Sequence, residues 1–137
     1  MTDETTPFAL VVDDDPFIRM DACDIVENAG FRCLDAADVV EAIGQLEKRW
    51  ESIALLFTDV QLGDGRDGLC LAREVSRRWP EIGILVASGN VRPGEGDLPE
   101  GAEFIAKPFN AEVVHSRLAE ILPDGQKPEP LKRRSVG

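Results

Sequence analysis

Apolar and polar positions alternate along the chain in blocks of two kinds. Phe8 to Val12 is an unbroken apolar run that ends in three aspartates, as expected of a strand buried on both faces whose carboxyl end meets solvent. Pro16 suits a first helical turn. Phe17, Ile18, Ala22, Ile25, Val26 and Ala29 then recur at helical spacing until Gly30 stops the pattern. The same pair of elements follows again: a short strand at Phe31 to Leu34, then a helix capped by Asp38 and carrying Val39, Ala42, Ile43, Leu46 and Trp50. Ile53 to Phe57 forms a third strand. A glycine-rich loop leads into a helix striped by Leu69, Ala72, Val75 and Trp79 and ended by Pro80. Ile82 to Val86 and Ala102 to Ala106 are the fourth and fifth strands, and Val113, Val114, Leu118 and Ile121 mark a final helix stopped by Pro123. Strands that alternate with helices and are apolar on both faces predict an α/β fold, a doubly wound five-stranded parallel sheet with helices on both sides. The link from Ser88 to Gly101 breaks the rhythm. It holds two prolines and several glycines with no apolar stripe, so a loop is expected there in place of the fourth helix.

At 137 residues the chain suffices for one core, placed at residues 1–122, with 123–137 as a flexible Pro-rich basic tail. Residues 1–122 carry 11 basic and 24 acidic side chains, and this surplus of negative charge argues against nucleic-acid binding by the body of the protein. No apolar run is long enough to span a bilayer, and the polar, acidic start lacks the basic region of a secretory signal; no membrane association and a cytoplasmic location are expected. Cys23, Cys33 and Cys70 have neither metal-ligand spacing nor an even count, so they are expected to be buried thiols. His115, the only histidine, is expected at the surface or at a boundary.

In a doubly wound sheet the carboxyl ends of the strands gather on one edge, where ligands bind. That edge collects Asp13 and Asp14, Asp59, Ser88 and Lys107. Asp15 is left to cap the first helix. Three carboxylates at one point repel one another unless a cation lies between them, and an all-oxygen donor set selects Mg2+. With a hydroxyl at Ser88 and an ammonium at Lys107, the set is suited to phosphoryl transfer.

Val11-Val12-Asp13-Asp14-Asp15-Pro16, Phe57-Thr58-Asp59, Val86-Ala87-Ser88-Gly89 and Phe104-Ile105-Ala106-Lys107-Pro108-Phe109 together resemble the bacterial response-regulator receiver domain, the CheY-like family, over residues 8 to 122. The resemblance implies a flavodoxin-like strand order of 2-1-3-4-5 and phosphorylation of Asp59 by a histidine kinase. It implies that Mg2+ is held by Asp13, Asp14 and Asp59 with the Gln61 backbone carbonyl, and that Ser88 and Lys107 contact the phosphoryl group. Ser88 and Phe104 become switch positions, and the Lys107-Pro108 bond is expected to be cis. On this reading the protein is not an enzyme beyond phosphoryl transfer to its own Asp59 and the hydrolysis that follows. It signals to an unknown protein target, as a monomer. The sequence departs from the family at Gly63, Gly89 and Phe104 and in the Ser88 to Gly101 link. With no output domain in the chain, these departures resemble the stand-alone receivers paired with HWE-class kinases. The link is expected to become ordered on phosphorylation.

Two rival functions compete. A small phosphatase similar to the haloacid dehalogenase superfamily also uses an aspartate nucleophile, a lysine and Mg2+, but it needs acidic ligands after its lysine, where this chain has Pro108-Phe109-Asn110. An interaction module that works without phosphorylation leaves the set at the sheet edge unused. The Gly63, Gly65 and Gly68 pattern mimics a dinucleotide loop, but Asp64 and Asp67 would face the pyrophosphate, so bending beside Asp59 is the expected role.

Overall fold

The computed structural model describes residues 6–62, 68–89, 98–99 and 101–121. Five strands, β1 (Phe8–Val12), β2 (Arg32–Ala36), β3 (Ile53–Asp59), β4 (Gly83–Ser88) and β5 (Glu103–Ala106), form one parallel sheet of order β2-β1-β3-β4-β5. The helices are α1 (Pro16–Asn28), α2 (Val39–Arg49), α3 (Gly68–Arg78) and α4 (Ala111–Ile121), with a 3-10 turn at Trp50–Ser52. Fold class and strand order are those expected. The expected loop between Ser88 and Gly101 and the expected tail at 123–137 lie outside the described residues, apart from Gly89, Leu98, Pro99 and Gly101, with the Ala102 N–H donating to the Pro99 carbonyl at 3.1 Å. In that turn Gly101 takes a φ of 86°, a left-handed conformation that costs glycine little.

The local signals act as expected. Asp15 caps α1, its Oδ1 accepting from the backbone N–H groups of Phe17 (2.9 Å) and Ile18 (3.3 Å), and Pro16 opens the helix. Asp38 caps α2 through Glu41 N–H, and Gly30 leaves α1 at a φ of 106°. Alternation along each strand divides the core in two. Leu10, Val12, Leu56 and Val86 pack with Leu46 of α2 and Val75 of α3, while Ala9, Val11, Leu55, Phe57 and Leu85 pack with Ile25 and Val26 of α1 and Val114 and Leu118 of α4. The central strands are closed to water on both faces along most of their length.

Several expectations are corrected. Phe17 does not join the core: it is 77% exposed, because the buried stripe of α1 runs from Ala22 to Val26 and the N-terminal turn overhangs the sheet edge. Trp50 and Val113 are exposed too. Cys23 and Cys33 are not buried thiols but a disulfide, since α1 packs across β2 and brings their Cα atoms to 5.7 Å. Cys70 is exposed on α3. His115 is half-buried, a boundary residue as expected, with Nε2 2.9 Å from the Ile25 carbonyl, and it joins α4 to α1. Among the described residues no helix is long and apolar enough to cross a membrane.

Candidate functional site

Asp13 follows the last residue of β1, Asp59 ends β3, and Lys107 follows the last residue of β5, so three separate strands deliver the site. The Lys107 Nζ donates to Asp59 Oδ2 at 3.0 Å and to Asp13 Oδ2 at 3.1 Å. Asp14 completes the cluster, and carboxylate oxygens of Asp13, Asp14 and Asp59 all lie within 4.8 Å of one another. Asp13 is buried, Asp59 half-buried and Asp14 exposed. The set is therefore graded from a fixed inner carboxylate to an open outer one.

Burial pushes the Asp13 carboxyl above its ordinary pKa and the negative charge of Asp59 adds to this, although the Asp15 N–H on its Oδ1 (2.9 Å) and the Lys107 ammonium pull the other way. Burial alone would lower Lys107; its hydrogen bonds to Asp59 and Asp13 more than offset that, and its pKa is raised. Phe57 and Phe109, with ring centroids 5.3 Å apart, and Ile18 make an apolar floor beneath Asp13 and Asp59. The cluster holds three carboxylates and one ammonium, which pairs with Asp13 and Asp59, so carboxylates outnumber ammonium by two. A divalent ion matches that surplus, and oxygen-only donors without histidine or thiolate fit a hard cation such as Mg2+.

The remaining expected residues are placed as follows. Gln61 is exposed just past β3, its backbone N–H 3.4 Å from Asp59 Oδ1. Ser88 is buried at the end of β4, one residue beyond Ala87, the register partner of Asp59, and its carbonyl accepts from the Lys107 N–H at 3.0 Å. Phe104 lies beside Val86 in register and packs, half-buried, against the α2 and α3 side of the core. The Lys107-Pro108 bond is cis, as expected. A Cβ on Gly68 would fall on the Asp59 carbonyl oxygen, so only glycine lets α3 start this close to the end of β3. Gly63 and Gly65 lie outside the described residues.

Two site-forming residues were missed in the sequence. Thr58 is fully buried and its Oγ1 donates to the Asp59 carbonyl at 3.0 Å; in sequence it reads as an ordinary strand residue. Arg19 donates from Nη1 to the Asp13 carbonyl at 2.8 Å and from Nε to Asp35 Oδ2 at 2.9 Å. Its only sequence signal is its place in the second turn of α1, where side chains lean back toward the helix start.

A family model for the response regulator receiver domain matches residues 9–119. The nitrogen assimilation regulatory protein NtrX of Azorhizobium caulinodans is 34% identical over 120 residues, covering 82% of this chain and 26% of that protein. Among solved structures, the receiver domain of NtrX from Brucella abortus superposes with a TM-score of 0.68 at 31% identity, covering 80% of this chain and 97% of that one. The receiver domain of the hybrid histidine kinase CckA superposes at 0.72 with 26% identity, covering 85% and 99%. This chain spans half or less of the length of the curated relatives it matches.

Proposed function

This chain belongs to the response-regulator receiver domain family, and from that premise we propose that it serves in two-component signalling by accepting a phosphoryl group from a histidine kinase on Asp59. The observation that carries this reading is the cluster of the Asp13, Asp14 and Asp59 carboxylates, in which Asp13 and Asp59 both pair with Lys107. Asp13, Asp14, Asp59 and the Gln61 backbone carbonyl would hold Mg2+, which when bound would supply positive charge to the oxygens of the transferring group. The phosphatase reading loses its basis with the family membership, since it borrowed the same residues for a different fold family.

The Asp59 carboxylate attacks phosphorus in line with the bond to the kinase histidine. An acyl phosphate forms as the phosphorus–nitrogen bond breaks, and the electron pair stays with the imidazole. Lys107, now shared between two carboxylates, turns one donor to a phosphoryl oxygen, while the Ser88 hydroxyl donates to another. The protein contributes positioning and charge, with little covalent chemistry of its own. Similarity to a hybrid histidine kinase receiver and to a sensor kinase supports a kinase donor, and Gly63, Gly89 and Phe104 point to the HWE class. Residues 1–122 act as the receiver unit, as a monomer in the cytoplasm, and the output is contact with a protein target through Ser88 and Phe104 as switch positions.

Incubation with acetyl phosphate and Mg2+, followed by intact-mass measurement, tests the reading. The wild type and Asp15→Asn should gain one phosphoryl group, and Asp59→Asn none. Undiminished labelling of Asp59→Asn overturns the assignment. Many-turnover hydrolysis of small phosphate monoesters would instead restore the phosphatase reading.

A further inference from the structure

Asp13 is held at nearly every polar atom. Its N–H donates to the Ala36 carbonyl at 3.2 Å, Oδ1 accepts from Asp15 N–H, and Oδ2 accepts from Lys107. Its own carbonyl lies just past the end of β1, and there the Arg19 guanidinium takes it. The same planar group, 20% exposed in its side chain, is anchored by Asp35 on β2, whose backbone carbonyl accepts from Gln45 Nε2 of α2 at 2.8 Å. A continuous chain of hydrogen bonds thus runs from α2 through Asp35 and Arg19 to Asp13. It crosses the seam between α1 and β2 that the Cys23–Cys33 disulfide also closes, one helical turn further along α1.

We propose that Arg19 is a positioning residue for the cation site: by gripping the Asp13 carbonyl against Asp35, it fixes the backbone from which the Asp13 and Asp14 carboxylates project. The inference rests on the reading of those carboxylates as Mg2+ ligands. Two forces argue for geometry over charge as the reason for an arginine. A cation beside a cation site disfavours the ion, so Asp35 is needed to neutralise it. A lysine in its place keeps the charge but has no rigid fork to hold a carbonyl and a carboxylate at once. Partners that orient ligands in this way are worth about tenfold to a hundredfold in metal affinity.

The test is a Mg2+ titration by calorimetry, beside melting curves in chelator, of the full chain and of Arg19→Lys, Asp35→Asn, the double variant and Arg78→Gln. Arg78 bridges Glu47 and Glu74 far from the sheet edge and serves as the comparison. Arg19→Lys and Asp35→Asn should each weaken Mg2+ about tenfold. The double variant should be no worse than the weaker single one, and Arg78→Gln should bind as wild type. Wild-type affinity in Arg19→Lys, whether or not its melting point falls, overturns the proposal. So does additive loss in the double variant, which would make the two residues independent. Failure of the wild type itself to bind Mg2+ would overturn the proposed function, a result distinct from either.

Discussion

The two faces of the sheet are held together by different means. On the α2 and α3 face an apolar cluster around Leu46, Leu56 and Val75 does almost all the work, and the ion pairs described there, Arg78 with Glu47 and Glu74, lie at the surface. On the α1 and α4 face an apolar cluster is crossed by specific polar and covalent links: the Cys23–Cys33 disulfide, the His115 contact to the Ile25 carbonyl, and the Arg19 bridge. Dispersion and burial tolerate small displacements, whereas hydrogen bonds fix direction. Of these links the Arg19 bridge reaches the strand end from which Asp13 projects, while the disulfide lies level with Ala9. The comparison therefore separates residues that set stability from residues that set the geometry of the carboxylates.

The largest expected effect lies on the α2 and α3 face. Leu46→Ala removes a fully buried side chain and should cost about 3 kcal/mol by urea denaturation, while Mg2+ affinity stays at the wild-type value. Loss of affinity in step with stability would show that the faces are not separable. On the opposite face, breaking the disulfide with a reductant or by Cys23→Ser should cost about 2–3 kcal/mol, the value for a loop of this size. Unlike the leucine variant, it should also soften the α1–β2 seam, seen as faster amide exchange in α1.

A smaller effect of opposite sign is expected at Asp13. Its folded-state pKa lies above the unfolded one, so the stability it contributes is present in full below the unfolded value and is lost as pH rises through the folded value. Burial weighs against the charged form of this carboxyl in the metal-free fold. Asp13→Asn should thus melt slightly higher than wild type at pH 7 in chelator, and the difference should close as pH falls through the folded pKa of Asp13. The variant should also lose the upward shift that Mg2+ gives the wild type. The least change is expected at Arg78, whose ion pairs with Glu47 and Glu74 lie at the surface, where Arg78→Gln should leave the melting midpoint in place.

Much of this architecture was legible because it is local. Apolar runs at Phe8 to Val12 and Ile53 to Phe57 declare strands buried on both faces, and Asp15, Pro16, Asp38 and Gly30 mark helix ends by their own backbone chemistry. The cluster of Asp13, Asp14, Asp59 and Lys107 was legible because a doubly wound sheet sends its strand ends to one edge. What stayed hidden depends on how a helix sits on the sheet. Cys23 and Cys33 carry no spacing that signals a pair; only the packing of α1 across β2 makes one. Arg19 is one polar residue among several on α1, and its task is set by the Asp13 carbonyl and by Asp35 on another strand. Phe17 misled because an apolar letter at helical spacing looks the same whether its turn lies over the core or overhangs the edge. Gly68 was legible as a bend, but the near-contact with the Asp59 carbonyl that requires it is tertiary.

The most direct test of the central claim is chemical trapping of the phosphoryl group. The wild-type chain would be treated with acetyl phosphate and Mg2+, reduced with borohydride so that an acyl phosphate becomes an alcohol, and mapped by peptide mass spectrometry. The account predicts one reduced residue, at Asp59, absent when chelator replaces Mg2+. Reduction at Asp13 or Asp14 instead, or labelling at Asp59 that is indifferent to chelator, would contradict it.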